Sequence, residues 1–205
     1  MNGYQAMKII KNIITDLPFM KPIIILLKFF LRQRDLNETF TGGVSSYLVF
    51  NMVYAYIQYL QRDKDESEEK MKDMNLGSFL IGFLKFYGYE FNYYELGISI
   101  RNGGKFFKKY DANFPPNENL CFENFQDASI DIGRAAYQFP KVRELFQDVL
   151  CKLYKNKSNS ESYLQHMIIV TSELRRIQEN ELQVSPLSVK VSNFSEDSNE
   201  KDTNK

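Results

Sequence analysis

Residues 44–61, VSSYLVFNMVYAYIQYLQ, place aromatic and aliphatic side chains around almost the whole circumference of a helix. A helix without a polar face belongs at the centre of a core, which constrains this fold more than any other stretch does. The helix opens behind a double glycine, Gly42-Gly43, and ahead of that corner runs PIIILLKFF, the most hydrophobic segment of the chain. Lys21 precedes the segment and Lys28 interrupts it. It is well short of the roughly 18 to 20 apolar residues that span a bilayer, so it reads as a buried helix from about Lys21 to Gln33. Before it, Ala6, Ile9, Ile10, Ile13 and Ile14 recur at helical spacing up to Pro18, which marks the stop.

Further on, LGSFLIGFLKFY from Leu76 to Tyr87 is again helical, with Gly88 as its expected C-terminal stop. The pattern then changes. YEFNYYELGISIRNGGKFF alternates and contains Asn102-Gly103, the residues of a turn between two short strands. Residues 111–127 carry a proline pair and many asparagines, and are expected to be irregular but packed through Phe114, Phe122 and Phe125. A helix is predicted to start near Asp131 as N-cap, to be interrupted at Pro140 and to resume through VRELFQDVLCKLY. Another is expected from about Ser160 to Leu182. Beyond Pro186 apolar residues almost vanish, and such a tail cannot bury enough surface to fold.

With 205 residues, 43% of them hydrophobic, the chain can bury one sizeable core. The expectation is a mainly α domain over 1–182 with a short β-hairpin, then a disordered tail over 183–205. Lysine plus arginine equals aspartate plus glutamate at 26 each, so no global field draws in nucleic acid or an anionic membrane. Cys121 and Cys151, without a secretory leader, imply reduced thiols and an intracellular protein. No membrane association is expected.

Several chemistries find no support. The lone histidine, His166, lies in an amphipathic segment without a neighbouring Cys, and is read as structural. Asp63 and Asp65 have a metal-like spacing but fall in the charge run DKDESEEKMKD, which reads as a solvated linker. No P-loop, GxGxxG fingerprint or zinc spacing is present, and no metal ligands are assigned. One combination stands out. Lys28 and Arg32 are four apart and share a helix face, and the next helix opens with the hydroxyls of Ser45 and Ser46 and with free backbone N–H groups. Cations facing a helix N-terminus make a place for a polyphosphate, and Tyr47 offers a ring on which a base can stack. The plainer reading is that the glycines turn the chain and a serine caps the helix.

LLKFFLRQRDLNETFTGGVSSY closely resembles the segment after the catalytic domain in nuclear poly(A) polymerases of the exosome-cofactor (TRAMP) type, members of the DNA polymerase beta-like nucleotidyltransferase superfamily. NLGSFLIGFLKFYGYEFNYYELGISIRNGG is similar to the start of their PAP-associated domain, placed here at about 75–155, and FENFQDASIDIGRAAY to their nucleotide recognition motif. The three blocks keep the family's order over about residues 2–155.

The resemblance implies that Lys28 and Arg32 reach the triphosphate, that Ser46 meets phosphate, and that Tyr47 stacks on the base. It places Ile130, Asp131, Gly133 and Arg134 in a base-recognition loop, with Asp131 near the base edge. Ile130 stands where the family has a polar residue, and Asn124-Phe125 where it has Asp-Pro. The family's Gly-Ser motif and three metal-binding aspartates precede the region that begins here at Met1 and do not occur in these residues. The expectation is therefore a helical wall of an enzyme that adds adenylate to RNA 3′ ends, inert without its catalytic half, with ATP as substrate and Mg²⁺ only when that half is present. Implied partners are an RNA 3′ end, a nucleotide, and helicase and zinc-knuckle proteins of a surveillance complex. The implied location is nuclear, with the cytoplasm as the other compartment. The alternative is a non-catalytic interaction module of an RNA-processing complex.

Overall fold

The computed structural model describes residues 3–62, 75–155, 164, 167–169 and 172. Its helices and strands fall within one compact unit, Met1–Ile169. Helix α1 covers Gly3–Asp16 and α2 covers Met20–Arg32, with Pro18 between them and Pro22 in the first turn of α2, where a missing N–H costs nothing. Helix α3, Ser46–Leu60, is the centre of the core, as its composition predicts. Ten of its residues are buried, including Asn51 and Gln58.

These two amides are tied down. The Asn51 side chain donates to the Tyr47 carbonyl at 2.7 Å and that of Gln58 to the Ile100 carbonyl at 3.1 Å. Rings from the flanking elements close on α3, with Phe79 and Phe83 edge-on to Tyr56 at 5.2 and 5.9 Å.

Helix α4, Leu76–Lys85, is capped by Asn75, whose side chain accepts from the Ser78 N–H at 2.9 Å. Gly88 does not end it as expected. The chain widens into a π turn, Phe86–Glu90, in which Phe86, Tyr87 and Gly88 are all buried. The Gly88 carbonyl then receives Arg143 Nε and Gln147 Nε2, so Gly88 is a crossing point with the last helix rather than a stop.

The hairpin forms where Asn-Gly predicts it. Strand β1, Leu96–Ser99, pairs antiparallel with β2, Lys105–Lys108, from Leu96 opposite Lys108 to Ser99 opposite Lys105. Asn102, Gly103 and Gly104 between them have φ of 53°, 80° and 82°. Residues 111–127 are irregular as expected, with Phe122 buried and Phe114 against Phe107 at 5.9 Å.

A second element differs from its expected form. No helix starts at Asp131: the segment 131–138 makes turns, and α5 spans Phe139–Lys155. Pro140 sits in the first turn of α5, so it initiates this helix instead of interrupting it. The region expected to be helical over 160–182, the tail 183–205, His166, Asp63 and Asp65 lie outside the described residues, apart from 164, 167–169 and 172. Among the described residues no helix is long and apolar enough to cross a membrane.

Candidate functional site

The corner between α2 and α3 is built from its glycines outward. Gly42 has φ of 83°, and a Cβ there would lie 2.4 Å from the Tyr137 ring. Gly43 has a different reason to be glycine, since its Cβ would meet the Leu36 backbone carbonyl at 2.6 Å. Backbone bonds from Gly43 N–H to the Glu38 carbonyl and from Val44 N–H to the Leu36 carbonyl, both 2.8 Å, hold the corner. Asn37 adds a side-chain bond to the Val44 carbonyl at 2.6 Å.

Behind the corner Ser45 caps α3, its hydroxyl oxygen accepting from the Leu48 N–H at 3.1 Å. Ser46 is exposed on the first turn and Tyr47 is half-buried. With Leu48 satisfied by the cap, the N–H groups of Ser46 and Tyr47 are open donors of the helix start among the described residues. Burial pushes the Tyr47 phenol above its ordinary pKa, with the Asn51 amide opposing, so the ring is neutral across the physiological range.

Lys28 and Arg32 lie one residue around α2 from Leu27 and Leu31, which line the small cavity shared with Val44 and Val49. They therefore flank the contact between α2 and the start of α3. Lys28 is half-buried and Arg32 exposed, and among the described residues neither has a hydrogen-bond or ion-pair partner. The neighbouring cation is committed elsewhere: Arg34 donates to the Phe30 carbonyl at 2.9 Å and lies 4.2 Å over the Phe30 ring.

The segment 120–138 leads from β1 to the corner. Residues 120–124 run beside β1, with Ile98 N–H donating to the Cys121 carbonyl at 3.0 Å and Glu123 N–H to the Ile98 carbonyl at 2.8 Å. Their opposite edge carries the loop, through Asn124 N–H to the Ile130 carbonyl and Ile132 N–H to the Phe122 carbonyl, both 2.8 Å. Asp131 turns inward, one carboxylate oxygen accepting from the N–H groups of Phe122 and Gly133 at 2.8 Å each. These bonds account for its failure to cap a helix.

Gly133 is pressed against the Leu120 carbonyl, which an added Cβ would meet at 2.1 Å. Ile130 is 40% exposed and Arg134 is also exposed. From there the chain reaches the corner, where Gln138 donates its backbone N–H to the Gly42 carbonyl at 2.9 Å and its side-chain amide to the Thr41 carbonyl.

The structure thus ties the segment that follows the 130–134 loop to the glycine corner, through the Gln138 bonds to Gly42 and Thr41 and the Tyr137 ring against Gly42. No hydrogen bond or ion pair links Ile130, Asp131 or Arg134 directly to Lys28, Arg32 or Tyr47 among the described residues. One contributor escapes sequence reasoning: Gln138 signals itself only by preceding Phe-Pro at a helix start. The described residues do not fit a Mg²⁺ site, since no three His, Cys, Asp or Glu side chains gather among them. Carboxylates for such an ion would have to come from outside this set.

Residues 75–131 match the domain described as Cid1 family poly A polymerase. The chain is 38% identical over 144 residues to the poly(A) RNA polymerase CID14 of Cryptococcus neoformans, covering 69% of this chain and 19% of that protein. It is 33% identical over 160 residues to the inactive non-canonical poly(A) RNA polymerase protein Trf4-2 of Drosophila melanogaster, covering 75% of this chain and 39% of the relative. The polymerase core of TRAMP, a RNA surveillance complex, has the same fold, with a TM-score of 0.65 at 22% identity over 78% of this chain and 51% of that one. The fold is that of the helical part of a nucleotidyltransferase polymerase core. The chain belongs to the Cid14-like poly(A) polymerase family, of which it holds the PAP-associated region, and it spans less than half of either relative.

Proposed function

We propose that this chain forms one wall of the nucleotide cleft of a template-independent RNA nucleotidyltransferase that adds adenylate to RNA 3′ ends. Lys28, Arg32, Ser46 and the open N–H groups at the start of α3 take the triphosphate. Tyr47 stacks on the base, and the 130–134 loop faces the base edge. The observation that supports this reading is Gln138, whose bonds to the Gly42 and Thr41 carbonyls tie the segment following the loop to the corner ahead of the capped helix. The carboxylates that activate the 3′-hydroxyl belong to a second, catalytic half, so these residues alone are inert. The setting proposed with it is a surveillance complex in the nucleus, with helicase and zinc-knuckle partners.

The test is a tailing assay on a short RNA with each of the four nucleoside triphosphates. The chain alone is expected to add nothing, and the chain joined to the carboxylate-bearing half of a relative to add adenylate in preference to the other three. Tailing by the chain alone contradicts the division of labour, and equal use of all four nucleotides contradicts adenylate selectivity.

A second reading, a non-catalytic interaction module, has one observation in its favour: the 33% identical fly relative is named inactive. A joined protein that folds, binds RNA-processing proteins and never tails RNA would favour it.

A further inference from the structure

The nucleotide reading leaves one buried charge unexplained. Lys109, just past the end of β2, is 1% exposed. A buried ammonium is costly unless its protons are taken up. Here they are, and by an unusual set. Nζ has four acceptors for its three N–H groups: the Tyr93 carbonyl at 2.6 Å, the Asn119 carbonyl at 2.9 Å, and the Asn117 carbonyl and side-chain oxygen at 2.8 and 3.2 Å. No carboxylate is among its bonded partners. Burial pulls its pKa below the ordinary lysine value, while Cys121 and Asp131 push it back up, so the ammonium and the Asp131 carboxylate sense each other.

The position of this cation matters more than its cost. Asn119 is followed by Leu120, whose carbonyl abuts Gly133, and by Phe122, whose N–H is held by Asp131. The segment that templates the recognition loop therefore has two moorings. One is the ladder to Ile98, with the bonds of Cys121 and Glu123, and the other is the Lys109 ammonium, which holds the Asn119 carbonyl two residues upstream of Cys121.

We infer that Lys109 is the positioning residue of the base-recognition loop: an internal cation, fixed by backbone oxygens, that sets where Leu120 and Phe122 present themselves to Asp131 and Gly133. That the loop reads a base rests on the function proposed above. That Lys109 places the loop does not.

Amide hydrogen exchange on the full 205-residue chain separates the two. Lys109→Met keeps the length of the side chain and removes the charge. It is expected to speed exchange of the Phe122, Asn124, Ile132 and Gly133 N–H groups about tenfold or more, leaving those of α3 unchanged. Lys109→Ala is expected to do the same and to be restored by n-propylammonium, while n-propanol, of the same length without the charge, restores nothing. If the methionine variant fails to fold, Asn117→Ala, which removes one acceptor and its bond to the Asn119 N–H, is expected to show the same pattern more weakly.

Unchanged exchange in the loop, or acceleration spread evenly over α3 and the hairpin, overturns the inference. So does equal rescue by the alcohol. In the joined enzyme, Lys109→Met is expected to narrow the preference for ATP over UTP while leaving affinity for inorganic tripolyphosphate as it was. A faster-exchanging loop with an unchanged preference supports the placing role of Lys109 and counts against the base-reading role of the loop.

Discussion

At the residue scale, the two glycines of the corner make different demands and respond differently to the same change. Gly43→Ala drives a methyl group into the Leu36 backbone, which has no flexible end to move aside, so a loss of about 2 kcal/mol or more is expected in urea denaturation. Gly42→Ala meets a left-handed φ and the partly exposed Tyr137 ring, which can swing away; its stability loss is expected to be smaller, but it displaces the joint to the recognition loop. Ser45→Ala removes a helix cap and is expected to lower stability by about 1 kcal/mol. Parity of Gly42→Ala and Gly43→Ala in that denaturation series would contradict the corner as described.

At the scale of elements, the hairpin offers a paired comparison. Gly103 and Gly104 both have positive φ, yet a Cβ on Gly103 meets nothing within 4 Å while one on Gly104 collides with Gln58. Gly103→Ala is therefore expected to cost about 1 kcal/mol of backbone strain. Gly104→Ala is expected to cost clearly more and to release Gln58 from the Ile100 carbonyl, visible as lost exchange protection of the Gln58 side-chain amide.

The same hairpin shows what local chemistry reveals. Asn-Gly announces its turn because the left-handed preference belongs to those residues themselves. Helix α3 was legible for a related reason, since burial around a full circumference leaves a mark at every position. The start of α5 was not. Asp131 looks like an N-cap in sequence, but its acceptor oxygen is claimed by Phe122, nine positions upstream, a contact that no local pattern encodes. The π turn at 86–90 was hidden for the same reason, because Arg143 and Gln147 arrive from α5 to take the Gly88 carbonyl. At the candidate site, Lys28, Ser46 and Tyr47 could be named from cation spacing, hydroxyls and a ring. Gln138 and Lys109 act through backbone carbonyls, and carbonyls leave no trace in the residue letters.

At the scale of the whole molecule, burial of neutral acids sets the response to alkali. The Cys121 thiol is pushed from 9.0 up to about 12 and the Tyr56 phenol from 10.0 up to about 12, each chiefly by burial, and Tyr87 and Tyr93 are raised well above the ordinary phenol value. The unfolded chain gives up these protons at lower pH than the folded one. Their contribution is whole below the ordinary values and is lost as pH rises toward the folded ones. Lys109 runs the other way, since a lowered amine pKa favours the fold as pH rises, but it is one group against several.

The urea midpoint is thus expected to fall between pH 8 and pH 11, with Cys121 alone worth about 2 kcal/mol near pH 10.5. Cys121→Ala is expected to flatten that fall. A midpoint that rises with pH would show that these groups are not buried as described.

The nucleotide corner is tested most directly by ATP affinity in the chain joined to a catalytic half, measured calorimetrically for the unaltered protein, Lys28→Ala and Tyr47→Ala, with melting temperatures in parallel. Both variants are expected to bind about tenfold or more weakly, each missing interaction being worth at least 1.4 kcal/mol, with melting temperatures unchanged. Equal affinity in all three proteins would mean that the cation and the ring serve the turn and not a nucleotide.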